Sequence, residues 1–204
     1  VIRQYLNNIK HLNRNIKLYL ISVLIFNLGL GAFQADFNLY ILSMGMQPDF
    51  LGVILSLTPL VEALASIPLG YAAEKVGFRR SLIIIYIVLG LSYFIQILSP
   101  NKSLIMMGAA MIGIVAGGSF IIQLPFLSHY TKEDRNQAFT MAMLVYYLAY
   151  ALGGLIGGYL PALMNTIVAD GTITYRILLG AFSLMIVLGA VPMLFVEDDK
   201  PDPK

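Results

Sequence analysis

Residues 18–42 read LYLISVLIFNLGLGAFQADFNLYIL, an uninterrupted apolar run with one charge, Asp36. A helix rises about 1.5 Å per residue, so about 20 such residues cross the hydrocarbon core of a bilayer. A secretory signal would have an apolar core of about 7–15 residues and a small-residue cleavage site before the next apolar segment. Neither condition is met, and the run reads as a membrane span. Similar runs follow at 50–73, 81–99, 103–128, 138–163 and 177–196. The breaks between them are short and turn-rich: Ser43-Met44-Gly45-Met46-Gln47-Pro48-Asp49, residues 74–80, Pro100-Asn101-Lys102, residues 129–135 and residues 164–176. In lipid, backbone polar groups must bond within their own segment unless strands close a barrel, and barrel strands would be shorter and alternating. The expected fold is therefore an all-α membrane protein, a six-transmembrane-helix bundle over residues 18–196.

Composition agrees, with 58% of the 204 residues hydrophobic and 12% charged, about half the charge of a soluble domain. A net charge of +2, with the basic residues in loops and not in one patch, gives no reason to expect nucleic acid as a partner. Cysteine is absent, which excludes disulfides and thiolate chemistry. No His/Asp/Glu cluster has ligand spacing, so no metal and no cofactor is expected. Residues 1–17 carry Arg3, Lys10, Arg14 and Lys17, with Ile2, Leu6, Ile9 and Ile16 at roughly helical spacing, and read as a basic amphipathic lead-in on the membrane surface. Residues 197–204, with Pro201 and Pro203, read as a solvated tail or the start of a linker. The chain opens on Val1 and not on methionine, compatible with a fragment, a processed form or a mis-started frame.

With the amino terminus in the cytoplasm, of the thirteen lysines and arginines Lys102 and Arg176 alone fall outside. The positive-inside rule thus sets both termini in the cytoplasm, in a plasma (inner) membrane.

Between the second and third spans the chain reads Gly70-Tyr71-Ala72-Ala73-Glu74-Lys75-Val76-Gly77-Phe78-Arg79-Arg80. A glycine, an acid four residues on, a basic residue, then glycine and a basic pair closely resemble the loop signature of the major facilitator superfamily. In that family the loop joins helices 2 and 3 on the cytoplasmic face, where the charge pattern independently sets it. The run from Phe37-Asn38-Leu39-Tyr40 through Met44-Gly45-Met46, Gly52 and Pro68-Leu69-Gly70 is similar to helices 1 and 2 of the family. Residues 151–161, with Gly153, Gly154, Gly157 and Gly158, are similar to its glycine-rich fifth helix.

The resemblance implies one half of the facilitator fold, an amino-terminal bundle that moves a small-molecule substrate by alternating access against a second six-helix half. That half would be covalent or a second chain, and the bilayer is the remaining partner. It also implies a latch, with Glu74 beside Arg79 and Arg80 engaging the positive end of a helix in the other half. Two features depart from the family's proton-coupled antiporters: no arginine or lysine lies between Lys102 and Lys132, and Gly153-Gly154 stands where their Gly-Pro pair would be. A scaffold, receptor or assembly subunit keeping the same fold is the alternative, since fold does not dictate activity.

At about 100° per residue, Gly31, Gln34 and Asn38 fall within about 40° of Asn27 on the first helix, a polar stripe suited to a cavity or to interhelical bonding. Helix 1 and helix 4 line the family's substrate cavity, so Asn27, Gln34, Asn38 and Gln123 are the substrate-cavity candidates the resemblance implies. Asp36, nearly opposite the stripe, is expected at the hydrated outer interface in a structural role. The glycines Gly113, Gly117, Gly153, Gly154, Gly157 and Gly158 are expected to let helices approach closely. Tyr146 and Tyr150 share the Gly153 face as border or wall of a cavity. Tyr19, His129 and Tyr130 suit the headgroup level, and Lys132-Glu133-Asp134-Arg135 a solvated loop. Glu62 is the acid nearest the middle of a span. It must be protonated, paired or wet, with Thr58 and Ser66 on its face, and is the proton-coupling candidate, with packing as the alternative.

Catalysis is not expected. Six spans with Gly117-Gly118-Ser119 in the fourth are similar to the rhomboid protease layout, but a serine nucleophile needs a base within reach. The histidines here are His11 and His129, and Phe120 stands where a glycine would follow the serine.

Overall fold

A computed structural model of the chain describes residues 13–130, 135–166 and 170–197. The lead-in 1–12, the loop cluster 132–134 and the tail 198–204 lie outside the described residues. The described residues form six long helices and no strand: α1 (Arg14–Ser43), α2 (Pro48–Val76), α3 (Phe78–Leu98), α4 (Lys102–Tyr130), α5 (Arg135–Met164) and α6 (Gly171–Leu188). A 3-10 turn, Pro192–Phe195, follows α6. All six are long and apolar enough to span a membrane, the last including the turn.

Three boundaries differ from expectation. Helix α1 begins at Arg14, so Arg14 and Lys17 belong to the spanning helix itself. Helix α6 starts at Gly171 and not at 177, because Asp170 caps it, accepting from the backbone N–H groups of Thr172 at 2.8 Å and Ile173 at 3.4 Å. The carboxylate satisfies donors that a helix start leaves orphaned. At its other end α6 gives way at Gly189 to the turn, and Pro192 opens the turn where its missing N–H is harmless. Between α2 and α3 the linker is the single residue Gly77, whose φ of 94° favours glycine and explains the second glycine of the loop signature.

The helices form an arc in the order α5, α1, α6, α3, α4, α2, each packed chiefly on its neighbours in that order, while α1 and α4 meet lightly across the middle. Lipid supplies no hydrophobic force between helices, so close backbone approach must hold the pairs. A Cβ on Gly31 or Gly153 would collide with the carbonyl oxygens of Tyr150 and Leu28, and one on Gly157 would stand 2.6 Å from that of Ala32. These contacts weld α1 to α5. Gly113 and Gly117 do the same for α2 and α4, against the carbonyl oxygens of Thr58 and Glu62 at 2.5 and 2.8 Å. Gly154 and Gly158 do not: Gly158 meets nothing within 4 Å. Gly90 between α3 and α6 and Gly108 between α3 and α4 are close contacts that the sequence reading passed over.

The α3–α6 seam is pinned at both ends. Arg79, in the first turn of α3, donates from Nε to the Met193 carbonyl oxygen at 3.0 Å and from Nη2 to that of Leu194 at 2.6 Å. Arg176, in α6, donates from Nε to the Ile97 carbonyl oxygen at 2.8 Å and from Nη2 to that of Leu98 at 3.1 Å. Arg176 satisfies carbonyls left orphaned at the C-terminal end of α3, where the helix dipole favours a cation, and Arg79 grips the turn that follows α6. Tyr40 shares the Ile97 carbonyl oxygen with Arg176, donating to it at 3.2 Å, and Tyr130 donates to the Glu197 carbonyl oxygen just beyond the turn at 2.7 Å.

Candidate functional site

Two of the cavities that the arc leaves lie among α1, α2, α3, α4 and α5. The larger, of about 170 Å³, lies among α1, α2, α3 and α4, with Gln34, Thr58, Tyr93 and Gln96 among its lining and Phe33 and Phe37 as apolar wall. Tyr93 is fixed against Phe33 with ring centroids 4.5 Å apart, and Gln96 donates to the Ile105 carbonyl oxygen at 3.3 Å. The smaller, of about 30 Å³, is bordered by Asn27, Gln123, Ser119, Tyr19, Tyr86 and Tyr146.

The polar stripe of α1 therefore divides. Asn27 is buried and borders the small void, Gly31 is consumed by the α5 contact, and Gln34 is exposed and lines the larger cavity. Asn38, one turn beyond, is exposed. Gln123 is brought to Asn27 across the α1–α4 seam. Glu62 is half-buried on α2 against Gly117, close enough to the Tyr93 and Tyr146 hydroxyls for charge interaction. Its expected hydroxyl partners are spent elsewhere: Thr58 donates to the carbonyl oxygens of Ile54 at 3.2 Å and Ala109 at 3.4 Å, and Ser66 to that of Ala63 at 2.9 Å. Tyr146 is half-buried and Tyr150 exposed, their rings parallel within 2°.

Four sequence readings change. Asp36 is fully buried, with neither carboxylate oxygen hydrogen-bonded among the described residues, and not hydrated at the outer surface. The early start of α6 runs beside α1, with Thr172 donating to the Ser43 carbonyl oxygen at 3.3 Å, and Tyr175 lies near Asp36. Tyr19 is not a headgroup anchor but a buried ring against Phe126 at 4.9 Å, with its edge on the small void. Arg79 is engaged within its own bundle. Tyr93 and Gln96 of α3 were missed because the family resemblance directed attention to helices 1 and 4; two polar side chains in one span were the available signal. Of the loop signature, a Cβ on Gly70 would stand 3.2 Å from the Ile121 side chain, the Lys75 ammonium lies 4.4 Å over the Tyr71 ring, and Glu74 and Arg80 are exposed. Ser119 donates to the Ala116 carbonyl oxygen at 2.7 Å.

Residues 18–204 match the family model described as Major Facilitator Superfamily. The chain belongs to the major facilitator superfamily. It is thus an integral membrane protein of a transporter family, with the six-helix bundle that makes half of the facilitator fold. Comparison with curated proteins yields no match. In facilitators substrate binds near the midplane between two such bundles.

Proposed function

We propose that the bundle carries a small solute by alternating access, working against a second six-helix half. The observation that carries this reading is the polarity of exposed positions in the spans. Gln34 and Asn38 are exposed on α1, and Glu62 is half-exposed on α2. Facing hydrocarbon, such groups are expensive; they need a wet cavity walled by protein. The flanking helices present large apolar side chains, among them Leu64 and Ile67 on α2 and Leu155 and Tyr159 on α5, suited to an opposing bundle. The partner is a covalent second half or a second copy of this chain. Purified protein in liposomes, assayed for uptake against a panel of metabolites, tests the reading. Saturable, vectorial uptake by demonstrably monomeric protein would refute the need for a partner.

Glu62 is the coupling group in this reading, half-exposed on α2 beside Gly117. Glu62→Gln is expected to keep expression and folding while removing the pH dependence of uptake; identical pH profiles would retire the role. Exposed Glu74 remains the latch towards the partner half, so Glu74→Gln should shift state-dependent accessibility without loss of fold. Both termini face the cytoplasm of a plasma (inner) membrane. Because the chain has no cysteine, single cysteines at Gln47 and Phe78 report orientation directly. An impermeant reagent should label Gln47→Cys on intact cells, and labelling of Phe78→Cys instead would invert the topology.

A further inference from the structure

Two buried amides face the α1–α4 seam with unmet hydrogen-bonding capacity. Asn27 is 2% exposed; its Nδ2 donates to the Val23 carbonyl oxygen at 2.8 Å, and its Oδ1 is buried without a partner. Gln123 is 8% exposed, and its Nε2 is buried without a partner. Both residues border the small cavity of about 30 Å³, more than the roughly 10–15 Å³ that a water needs. Ser119 does not meet the need: its one hydroxyl proton is donated to Ala116 and so is not available to Asn27, and its oxygen does not accept from Gln123 Nε2. A lone acceptor and a lone donor, each buried, beside a space that admits a water are an arrangement that native proteins complete with a third group.

The chemistry of that group follows from what it must supply. Towards Gln123 it must accept, and towards Asn27 it must donate. A carbonyl oxygen accepts but does not donate, and an ammonium donates but does not accept; an O–H oxygen does both. Among the described residues no charged side chain borders the cavity, so an ion would sit there without a counter-charge from them. We propose that Asn27 and Gln123 form a hydroxyl-binding subsite, filled by water in the empty carrier and by one hydroxyl of a neutral polyhydroxylated solute in the loaded one. The solute part rests on the transport reading above; the water part does not. The subsite also bridges α1 and α4, which otherwise touch lightly.

Two measurements test it on the full chain. The first is an experimental structure of unliganded protein at a resolution that shows ordered water. One solvent oxygen within hydrogen-bond distance of both amides is expected, and an empty void or a direct amide–amide bond would overturn the subsite. The second separates the two sources of the hydroxyl, using glycerol, erythritol, myo-inositol and glucose as probes in thermal melts of wild type, Asn27→Leu and Gln123→Met. Polyols stabilise folded proteins generally by exclusion from the surface, so the difference between chains is the readout. At least one probe should give a saturable upward shift in wild type, with roughly tenfold weaker apparent affinity in each variant, as loss of one hydrogen bond implies. Equal shifts in all chains would leave water as the occupant and overturn the solute assignment. If one variant fails to fold, the other carries the comparison, and the solvent peak is read on wild type alone. A filled void in a protein without uptake sinks the transport reading alone; uptake with an empty void sinks this one alone.

Discussion

Helices α2 and α3 are comparably apolar, with mean hydropathy 1.9 and 2.3 over their best windows, yet 11% of the α2 window is buried in the bundle against 56% of α3. The same contrast separates α5 from α6 at the other end of the arc, at 22% and 44%. Hydropathy reports what a helix tolerates around it, not what it packs against. The middle of the arc, α3 with α6, is held from two sides and pinned at both ends by arginines. Its ends, α2 and α5, are each held along one flank by glycines and leave the other flank open.

The sharpest way to break this comparison is to thicken one flank of α5 and then the other. On the α1 side, Gly153→Leu drives a side chain into the Leu28 backbone and should cost about 3 kcal/mol or prevent folding. Next come the staples: Arg79→Leu and Arg176→Leu should each lower stability by about 1.5–2 kcal/mol, the usual range for hydrogen bonds from a charged group that is partly exposed. If either costs nothing in detergent melts, the middle of the arc is not held as described. Smaller and opposite in sign is Asp36→Leu. It replaces a buried carboxyl without a partner by an apolar group of similar shape and should raise stability by about 1 kcal/mol. A loss instead would reveal a partner for Asp36. The smallest effect belongs to Gly158→Ala on the open flank, which has nothing within 4 Å and should stay within about 0.5 kcal/mol of wild type or improve on it. Equal costs at Gly153 and Gly158 would erase the distinction between flanks.

The spans were legible because the apolar requirement of a bilayer is a property of each segment alone. Their ends were less so, since the cap on α6 depends on one carboxylate, Asp170, in a loop whose other residues gave no helical signal. Faces were the hardest part. The 100° rule correctly groups Asn27, Gly31, Gln34 and Asn38, but not what that side of α1 meets, and the neighbours α4, α5 and α2 take different members of the group. Asp36 shows the same gap: its depth along α1 was readable, while the early turns of α6 that set Tyr175 near it were expected to be loop. Gln123 and Asn27 were each singled out as polar groups in spans. Their meeting across a seam was a fact of packing that neither helix encodes by itself.

The crossed arginines have a mechanical consequence. Arg79 and Arg176 grip opposite ends of two antiparallel helices, so sliding α3 past α6 by one residue, about 1.5 Å, would pull both guanidiniums off their carbonyls at once. The seam behaves as a fixed rail, stiff against shear in either direction. Strain in a working cycle then goes to α2 and α5, whose single-sided attachment lets them tilt or bow while the rail keeps its register.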